Sequence, residues 1–313
     1  MKYSTNPILN RHRKKRTHYN GVFIVGMAFL AFIVIGLTVS LSIRACSHHK
    51  NYTQNVIQQA ELSKVTIDKK NEDIPEVNHL YVMPDSVIKI CMPRPLDGIS
   101  ELIIHKSSYI VSHNKDTKIP NWVAWYLPSD HSDGPIERSN MFYEDEDVPK
   151  PRATNEDYRG SGWSRGHMCP AGDNKWNVVA MNQSFSLINV CPQDASLNSG
   201  FWNRIEMDCR KWAKMYGSVF IVCGPLLYNK EHETIGANKV VVPEAFYKVV
   251  LCLEGKPKAI GFVVKNNAGT KKKDQYVNTV DEVERLTGID FFPALPDSIE
   301  NVVEAYANLE DWR

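Results

Sequence analysis

Residues 161–206 read SGWSRGHMCPAGDNKWNVVAMNQSFSLINVCPQDASLNSGFWNRIE, and this stretch concentrates polar side chains that can carry chemistry. His167 follows Arg165 and a glycine that allows close backbone approach. An imidazole with a pKa near 6.5 can accept a proton from water, while a neighbouring guanidinium can meet a phosphate. Asn198 and Glu206 follow, eight positions apart. On a regular helix this spacing is about 80° around the axis and about 12 Å along it, so both side chains can face one rim of a cleft.

The pair of Asn198 and Glu206 also suits a metal ion. An amide oxygen and a carboxylate are hard ligands of the kind that Mg²⁺ accepts while it keeps several waters. The sequence therefore predicts a site for Mg²⁺. Mn²⁺ or another divalent cation is an alternative ion for the same site. Taken singly, each residue has a simpler explanation, since an asparagine at a helix start is usually an N-cap and a glutamate two turns later is usually solvated.

The order of these motifs resembles the DNA/RNA non-specific endonuclease family (Serratia nuclease and endonuclease G type), which has the ββα-metal or His-Me finger fold. The family signature is Asp-Arg-Gly-His, then Asn-x-x-Pro-Gln, then Leu-Asn-x-x-x-Trp-x-x-Leu-Glu. The chain has Ser-Arg-Gly-His at 164–167, Asn-Val-Cys-Pro-Gln at 189–193 and Leu-Asn-Ser-Gly-Phe-Trp-Asn-Arg-Ile-Glu at 197–206. The similarity extends from about residue 80 to about residue 295.

The resemblance implies a role for each residue of the pattern. His167 would be the general base, Asn198 the direct ligand of a hydrated Mg²⁺, and Glu206 the carboxylate that holds its waters. Arg165 and Arg138 would bind or neutralise the phosphate. The implied reaction is hydrolysis of phosphodiester bonds of DNA, RNA or both by a water that His167 activates, leaving 5′-phosphate ends. Three further positions would support the site: Asn189, Gln193 and Ser164.

One residue departs from the family signature. Ser164 stands where the family has Asp, so Ser164 or another group such as Asp173 must do what that carboxylate does. The alternative to an active enzyme is a weak or inactive nuclease-fold module, tethered to the membrane, that binds nucleic acid or a partner protein. A disulfide-stapled envelope protein without chemistry is a second alternative. Nucleic acid would be bound through phosphate contacts that weaken with salt. The resemblance leaves a homodimer open.

The N-terminal part has a different composition. Residues 21–43 read GVFIVGMAFLAFIVIGLTVSLSI, 23 residues without a charge, which as a helix would extend about 35 Å and cross a bilayer. Eight Lys or Arg and no acidic residue lie in positions 1–50, six of them before this segment. The positive-inside rule predicts a single-pass signal anchor with a cytoplasmic N-terminus and the catalytic part on the periplasmic or extracytoplasmic side. Secretion after signal cleavage is the alternative.

These patterns divide the chain into a basic cytoplasmic leader (1–20), a transmembrane anchor (21–43), a polar linker (44–78) and an endonuclease domain (79–313). Positions 51–313 hold 29 basic and 36 acidic residues, a net charge of −7, which excludes a protein that coats nucleic acid non-specifically. No G-x-G-x-x-G or P-loop pattern occurs, so no dinucleotide cofactor is expected. Seven cysteines without a C-x-x-C pair argue against a zinc ribbon, and the six after Cys46 can form disulfides or remain buried thiols.

Hydrophobic patterning predicts the fold class. Apolar runs bounded by turn residues predict strands at 101–111, 121–127, 184–190, 218–222, 239–242, 246–253 and 259–264. Two helical patterns occur at 197–216 and 280–286, ended by Gly217 and Gly288. Consecutive strands with few helices predict an α+β fold around a largely antiparallel sheet, preceded by one transmembrane helix.

Overall fold

A computed structural model describes residues 83–267 and 272–313. The leader, the anchor and the linker lie outside the described residues, so the division of the chain into these segments stays a prediction. Within the described ranges, no helix is long and apolar enough to cross a bilayer.

The described chain contains runs of consecutive strands and mostly short helices. The strands are β1 (Leu102–His105), β2 (Ile110–His113), β3 (Pro120–Pro128), β4 (Ser164–His167), β5 (Val190–Gln193), β6 (Ser218–Leu226), β7 (Thr234–Ile235), β8 (Val240–Val241), β9 (Ala245–Cys252), β10 (Lys258–Lys265) and β11 (Val277–Asn278). The helices are α1 (Asp85–Cys91), α2 (Asn155–Tyr158), α3 (Val178–Ser184), α4 (Ala195–Leu197), α5 (Asn203–Tyr216), α6 (Val280–Thr287) and α7 (Asp297–Glu304). A π-helical turn (Asn198–Trp202) joins α4 to α5.

A central sheet of seven strands organises the fold in the order β1-β2-β3-β6-β9-β10-β11. Each neighbouring pair in this sheet is antiparallel. The predicted mixture of helices with an antiparallel sheet is therefore confirmed. Two smaller pairs, β4 with β5 and β7 with β8, stand apart from the central sheet.

Both faces of the central sheet are buried, because side chains alternate between them with a period of two. On β3, Val123 and Trp125 pack on the face covered by α5, which we call the α5 face. Trp122 and Ala124 pack on the opposite face, which α1, α6 and α7 cover and which we call the α6–α7 face. Coverage on both faces explains why the long central strands are apolar almost without interruption.

The stretch 161–206 forms a compact unit of two strands and a helix. In the β4–β5 pair, His167 lies opposite Val190 and Ser164 lies opposite Gln193. The chain then enters α4, the π-helical turn and α5, which packs on β3 and β6. The order β4, β5, α5 is the two-strand and helix arrangement that the family resemblance implies.

Several element predictions are confirmed and two are wrong. The helices end as expected, at Gly217 with φ 92° and at Gly288 with φ 70°. The predicted strand 101–111 is two strands, because Ser107 and Ser108 lie in a tight turn closed by a hydrogen bond from Lys106 N to Tyr109 O. The predicted strand 184–190 is the end of α3 and a 3₁₀ turn, since a short apolar run has no period that separates strand from helix.

The six cysteines of the described ranges are buried free thiols. Burial raises the pKa of each thiol above its usual value. A raised pKa leaves little thiolate at neutral pH, so these side chains act as small apolar groups. The sequence left open whether these cysteines form disulfides or remain buried thiols, and in the structure they are buried thiols.

The buried His113 on β2 makes stability depend on pH. Burial lowers the pKa of His113 to about 4, below the usual 6.5 of the unfolded chain. Because the unfolded state binds the extra proton first, the contribution of neutral His113 is complete above pH 6.5 and is lost as the pH falls towards 4. Between pH 7 and pH 4, we expect the free energy of unfolding to fall by about 3 kcal/mol less in His113→Leu than in wild type. Urea unfolding at a series of pH values measures this difference. His105→Leu, at an exposed position of β1, should keep the wild-type pH dependence, and equal slopes for wild type and His113→Leu would contradict this assignment.

Candidate active site

His167, the last residue of β4, is 6% exposed. Its imidazole packs against the rings of Phe142 and Phe185, with centroids 5.2 and 4.8 Å away, and its Nε2 has no hydrogen-bond partner among the described residues. Burial, assisted by the charge of Arg138, lowers the pKa of His167 to about 3. The imidazole is therefore neutral at physiological pH, which is the form that accepts a proton.

The backbone around His167 is fixed from two sides. Trp202, in the π-helical turn, donates from its indole Nε1 to the carbonyl oxygen of His167 at 3.3 Å. Asn189 accepts from Cys169 N at 2.9 Å and donates from Nδ2 to the carbonyl oxygens of Cys169 and Ser184 at 2.8 Å each. The amide of Asn189 is thus committed to the backbone that follows His167, so it supports the site from within the fold.

Gly166 is required by strand packing. A Cβ at this position would lie 2.2 Å from Oε1 of Gln193 and 2.5 Å from its Cβ. Gln193 is fully buried, and neither atom of its amide has a hydrogen-bond partner within the described residues. The sequence predicts a close approach to the backbone at Gly166, and the group that approaches it is the side chain of Gln193.

Asn198 begins the π-helical turn, and Glu206 follows the turn in α5. Both residues are half-buried, and neither side chain makes a hydrogen bond within the part of the chain that the structure describes. A π-helical turn takes up one extra residue, so the angle between these positions shrinks from about 80° to about 20°. The two side chains are therefore closer to alignment along the helix than the regular spacing predicts.

The carboxylate of Glu206 has an unusual electrostatic environment. Burial raises the pKa of Glu206 to about 7, against the opposing effect of the Lys248 charge. Arg138 acts on both groups, since its charge also lowers the pKa of Glu206 and that of His167. The charge of Arg138 therefore affects the protonation of both His167 and Glu206.

The two predicted phosphate-binding arginines stand over the rings that pack against His167. The guanidinium of Arg138, an exposed residue, lies 5.1 Å from the centroid of Phe185. The guanidinium of Arg165, which is half-buried, lies 4.9 Å from the centroid of Phe142. The structure therefore brings Arg138, Arg165 and His167 together at one aromatic cluster.

A family model described as DNA/RNA non-specific endonuclease matches residues 93–298. The chain belongs to the DNA/RNA non-specific endonuclease family. Its relatives include mitochondrial nuclease EXOG of Xenopus laevis, with 40% identity over 60% of this chain and 57% of that protein. Nuclease C1 of Cunninghamella echinulata var. echinulata is 33% identical over 63% and 85% of the two chains, and mitochondrial endonuclease G of Bos taurus is 32% identical over 63% and 71%.

A solved structure has the same fold. It is the EndoG of an EndoG/EndoGI complex, with a TM-score of 0.60 and 29% identity, covering 65% of this chain and 90% of that chain. The match spans less than two thirds of the length of the EXOG nucleases, 57% in the Xenopus laevis protein.

The structure of this family member also contains a charged group that sequence reasoning missed. Lys248 lies in the middle of β9 and is fully buried, with its ammonium 4.5 Å from the ring centroid of Trp202 and 5.0 Å from that of Trp125. A lysine inside the otherwise apolar run AFYKVVLC was the signal that could have revealed it. Its charge is the strongest of those that lower the pKa of Glu206.

Asp173, the other candidate for the role of the family aspartate at position 164, makes contacts elsewhere. Its buried carboxylate accepts from Trp125 Nε1 at 3.0 Å and pairs with Arg210 at 2.9 Å. These contacts bind the turn after β4 to β3 and α5, so the carboxylate is already committed. Ser164 itself is half-buried at the start of β4.

Proposed function

We propose that this chain is a metal-dependent endonuclease that hydrolyses phosphodiester bonds of DNA, RNA or both without base specificity. The observation that carries the proposal is the buried imidazole of His167, which packs against the two rings over which Arg138 and Arg165 stand. Family membership and the nuclease names of the relatives support the same reaction class.

The residues of the site suggest the following reaction. His167 accepts a proton from a water whose oxygen forms a bond to phosphorus as the bond to the 3′ oxygen breaks, which leaves a 5′-phosphate end. Arg138 and Arg165 neutralise the phosphate from the aromatic cluster. His167 thus acts as the base, and the two arginines act on the charge of the phosphate.

Asn198 and Glu206 fit a hydrated Mg²⁺, because both side chains are half-buried oxygen donors without a hydrogen bond among the described residues. Asn198 would bind the ion directly and Glu206 would hold its waters. When bound, the ion supplies Lewis-acid stabilisation of charge on the phosphate oxygens. Mn²⁺ suits the same donors.

Plasmid DNA and RNA incubated with the purified full-length chain test this proposal. We expect cleavage with Mg²⁺, no cleavage with EDTA, and a loss of about 100-fold or more in Asn198→Ala, because the direct ligand is gone. Asn301→Ala, at an exposed position of α7, is the matched control and should keep wild-type activity. A shifted but intact plasmid with Mg²⁺ would instead identify a binding module.

We also propose that residues 21–43 anchor the protein in a membrane with the nuclease domain on the periplasmic or extracytoplasmic side. The support is the uncharged apolar segment and the basic residues before it. The full-length chain should stay in the membrane fraction after extraction with alkaline carbonate, and protease added from the outer side should reach the domain. Release by carbonate would contradict the anchor.

A further inference from the structure

Three acidic side chains converge on the α6–α7 face of the sheet, across the sheet from α5. Asp281 and Glu284 belong to α6, three positions apart and therefore on one side of this helix. Glu304 is the last residue of α7, which contacts both α6 and β10. One carboxylate oxygen from each of the three lies within 4.8 Å of the others.

Glu304 is the unexplained member of this group. The residue is 6% exposed, and its Oε1 has no hydrogen-bond partner in the described ranges. It lies at the C-terminal end of α7, where the helix dipole is negative, and no basic residue occupies the last turn. A buried carboxylate in this position is unfavourable unless a cation or a proton neutralises it.

The charged groups around the cluster do not supply that cation. Asp290 and Glu300 add further negative charge. Arg94 pairs with Asp290 at 2.9 Å, and Arg285 is bound to Glu282. None of the three clustered acids forms an ion pair with Lys or Arg in the described part of the chain.

The carboxylates are held in place and crowded. Glu284 accepts a hydrogen bond from Phe291 N at 2.8 Å, which fixes its carboxylate against the loop between α6 and α7. One carboxylate oxygen of Glu304 lies within 4.8 Å of an oxygen of Glu284 and of Asp281. A bound cation would reduce the repulsion between these negatively charged carboxylates.

We propose that Asp281, Glu284 and Glu304 bind a divalent cation of the Ca²⁺ type at a site separate from the candidate active site. Ca²⁺ takes carboxylate oxygens at about 2.3–2.6 Å, so two oxygens on one ion lie at most about 5 Å apart, which matches the spacing of this cluster. Asp281 is exposed, which leaves the outer side open to water ligands. Ca²⁺ accepts a flexible set of six to eight oxygen ligands, whereas Mg²⁺ demands near-octahedral geometry and keeps most of its waters, so three clustered carboxylates favour Ca²⁺. The bound ion would join α6 to the end of α7.

Calcium binding to the full-length chain in mild detergent tests the proposal. The Asn198→Ala variant is used as the background, because it lacks the proposed metal ligand of the active site. Equilibrium dialysis with Ca²⁺ alone should find one ion per chain. The unfolding temperature should rise by roughly 5 °C at a free Ca²⁺ concentration about 100 times Kd. Absence of bound Ca²⁺ would overturn the proposal.

Three further substitutions in that background locate the ion. Glu304→Gln and Asp281→Asn should each remove the bound ion or weaken its binding at least tenfold, and Asp281 is exposed, so its change should leave the fold intact. Glu282→Gln, on the same helix but bound to Arg285, should bind Ca²⁺ as before. Circular dichroism without Ca²⁺ checks that Glu304→Gln folds. Unchanged Ca²⁺ binding in both Glu304→Gln and Asp281→Asn would exclude this site.

Discussion

His167→Ala is expected to lower the rate of DNA and RNA cleavage by about 10²- to 10⁴-fold, the range that a positioned general base contributes. The reason is that the buried, neutral imidazole packs against the two rings over which the guanidinium groups of Arg138 and Arg165 stand. The measurement is the initial rate of plasmid and RNA cleavage at saturating Mg²⁺.

Controls separate the loss of the base from a loss of structure. His105→Ala, at an exposed position of β1, should retain wild-type rates. His167→Ala should still bind Mg²⁺ and show a wild-type circular dichroism spectrum, because Asn198 and Glu206 remain. Added imidazole is expected to restore part of the rate by entering the space left by the side chain. Undiminished cleavage by His167→Ala would show that another group takes the proton.

Lys248→Met is expected to move the pH dependence of Mg²⁺ binding and of cleavage to higher pH. Lys248 is fully buried beside Trp202 and Trp125. Burial raises the pKa of Glu206 to about 7 even though the charge of Lys248 lowers it, so without that charge the pKa of Glu206 would be higher. Methionine keeps a long, flexible side chain but removes the charge. Glu206 then holds its proton at pH 7, so we expect cleavage at pH 7 to fall by about tenfold and to recover towards pH 9.

The recovery at high pH distinguishes this positioning role from a merely structural one. Glu206 contributes to Mg²⁺ binding only when ionised, so affinity in wild type should rise through about pH 7 and in Lys248→Met at higher pH. Lys265→Met, at the exposed end of β10, removes a lysine without changing the site. A lower rate in Lys248→Met at every pH, with an unmoved midpoint, would mean that Lys248 acts only through packing.

The placement of the candidate site residues on neighbouring elements could be predicted because these residues are close in the chain. His167, Asn198 and Glu206 lie within one unit of two strands and a helix, so local spacing places them on neighbouring elements. The helix ends at Gly217 and Gly288 were also predictable, since a positive φ favours glycine. The π-helical turn was not predictable, because no simple period marks one extra residue in a helix.

Local sequence thus set the strands, the helix ends and the order of the motif residues, since these depend on side-chain periodicity and on backbone preferences of neighbouring residues. Only the tertiary structure determined which charged side chains lie near these residues. The charge of Lys248 on β9 lowers the pKa of Glu206 on α5, and Glu304 meets Asp281 and Glu284 from another helix. Charge interactions and desolvation depend on distance in space and on burial, and neither can be read from separation along the chain.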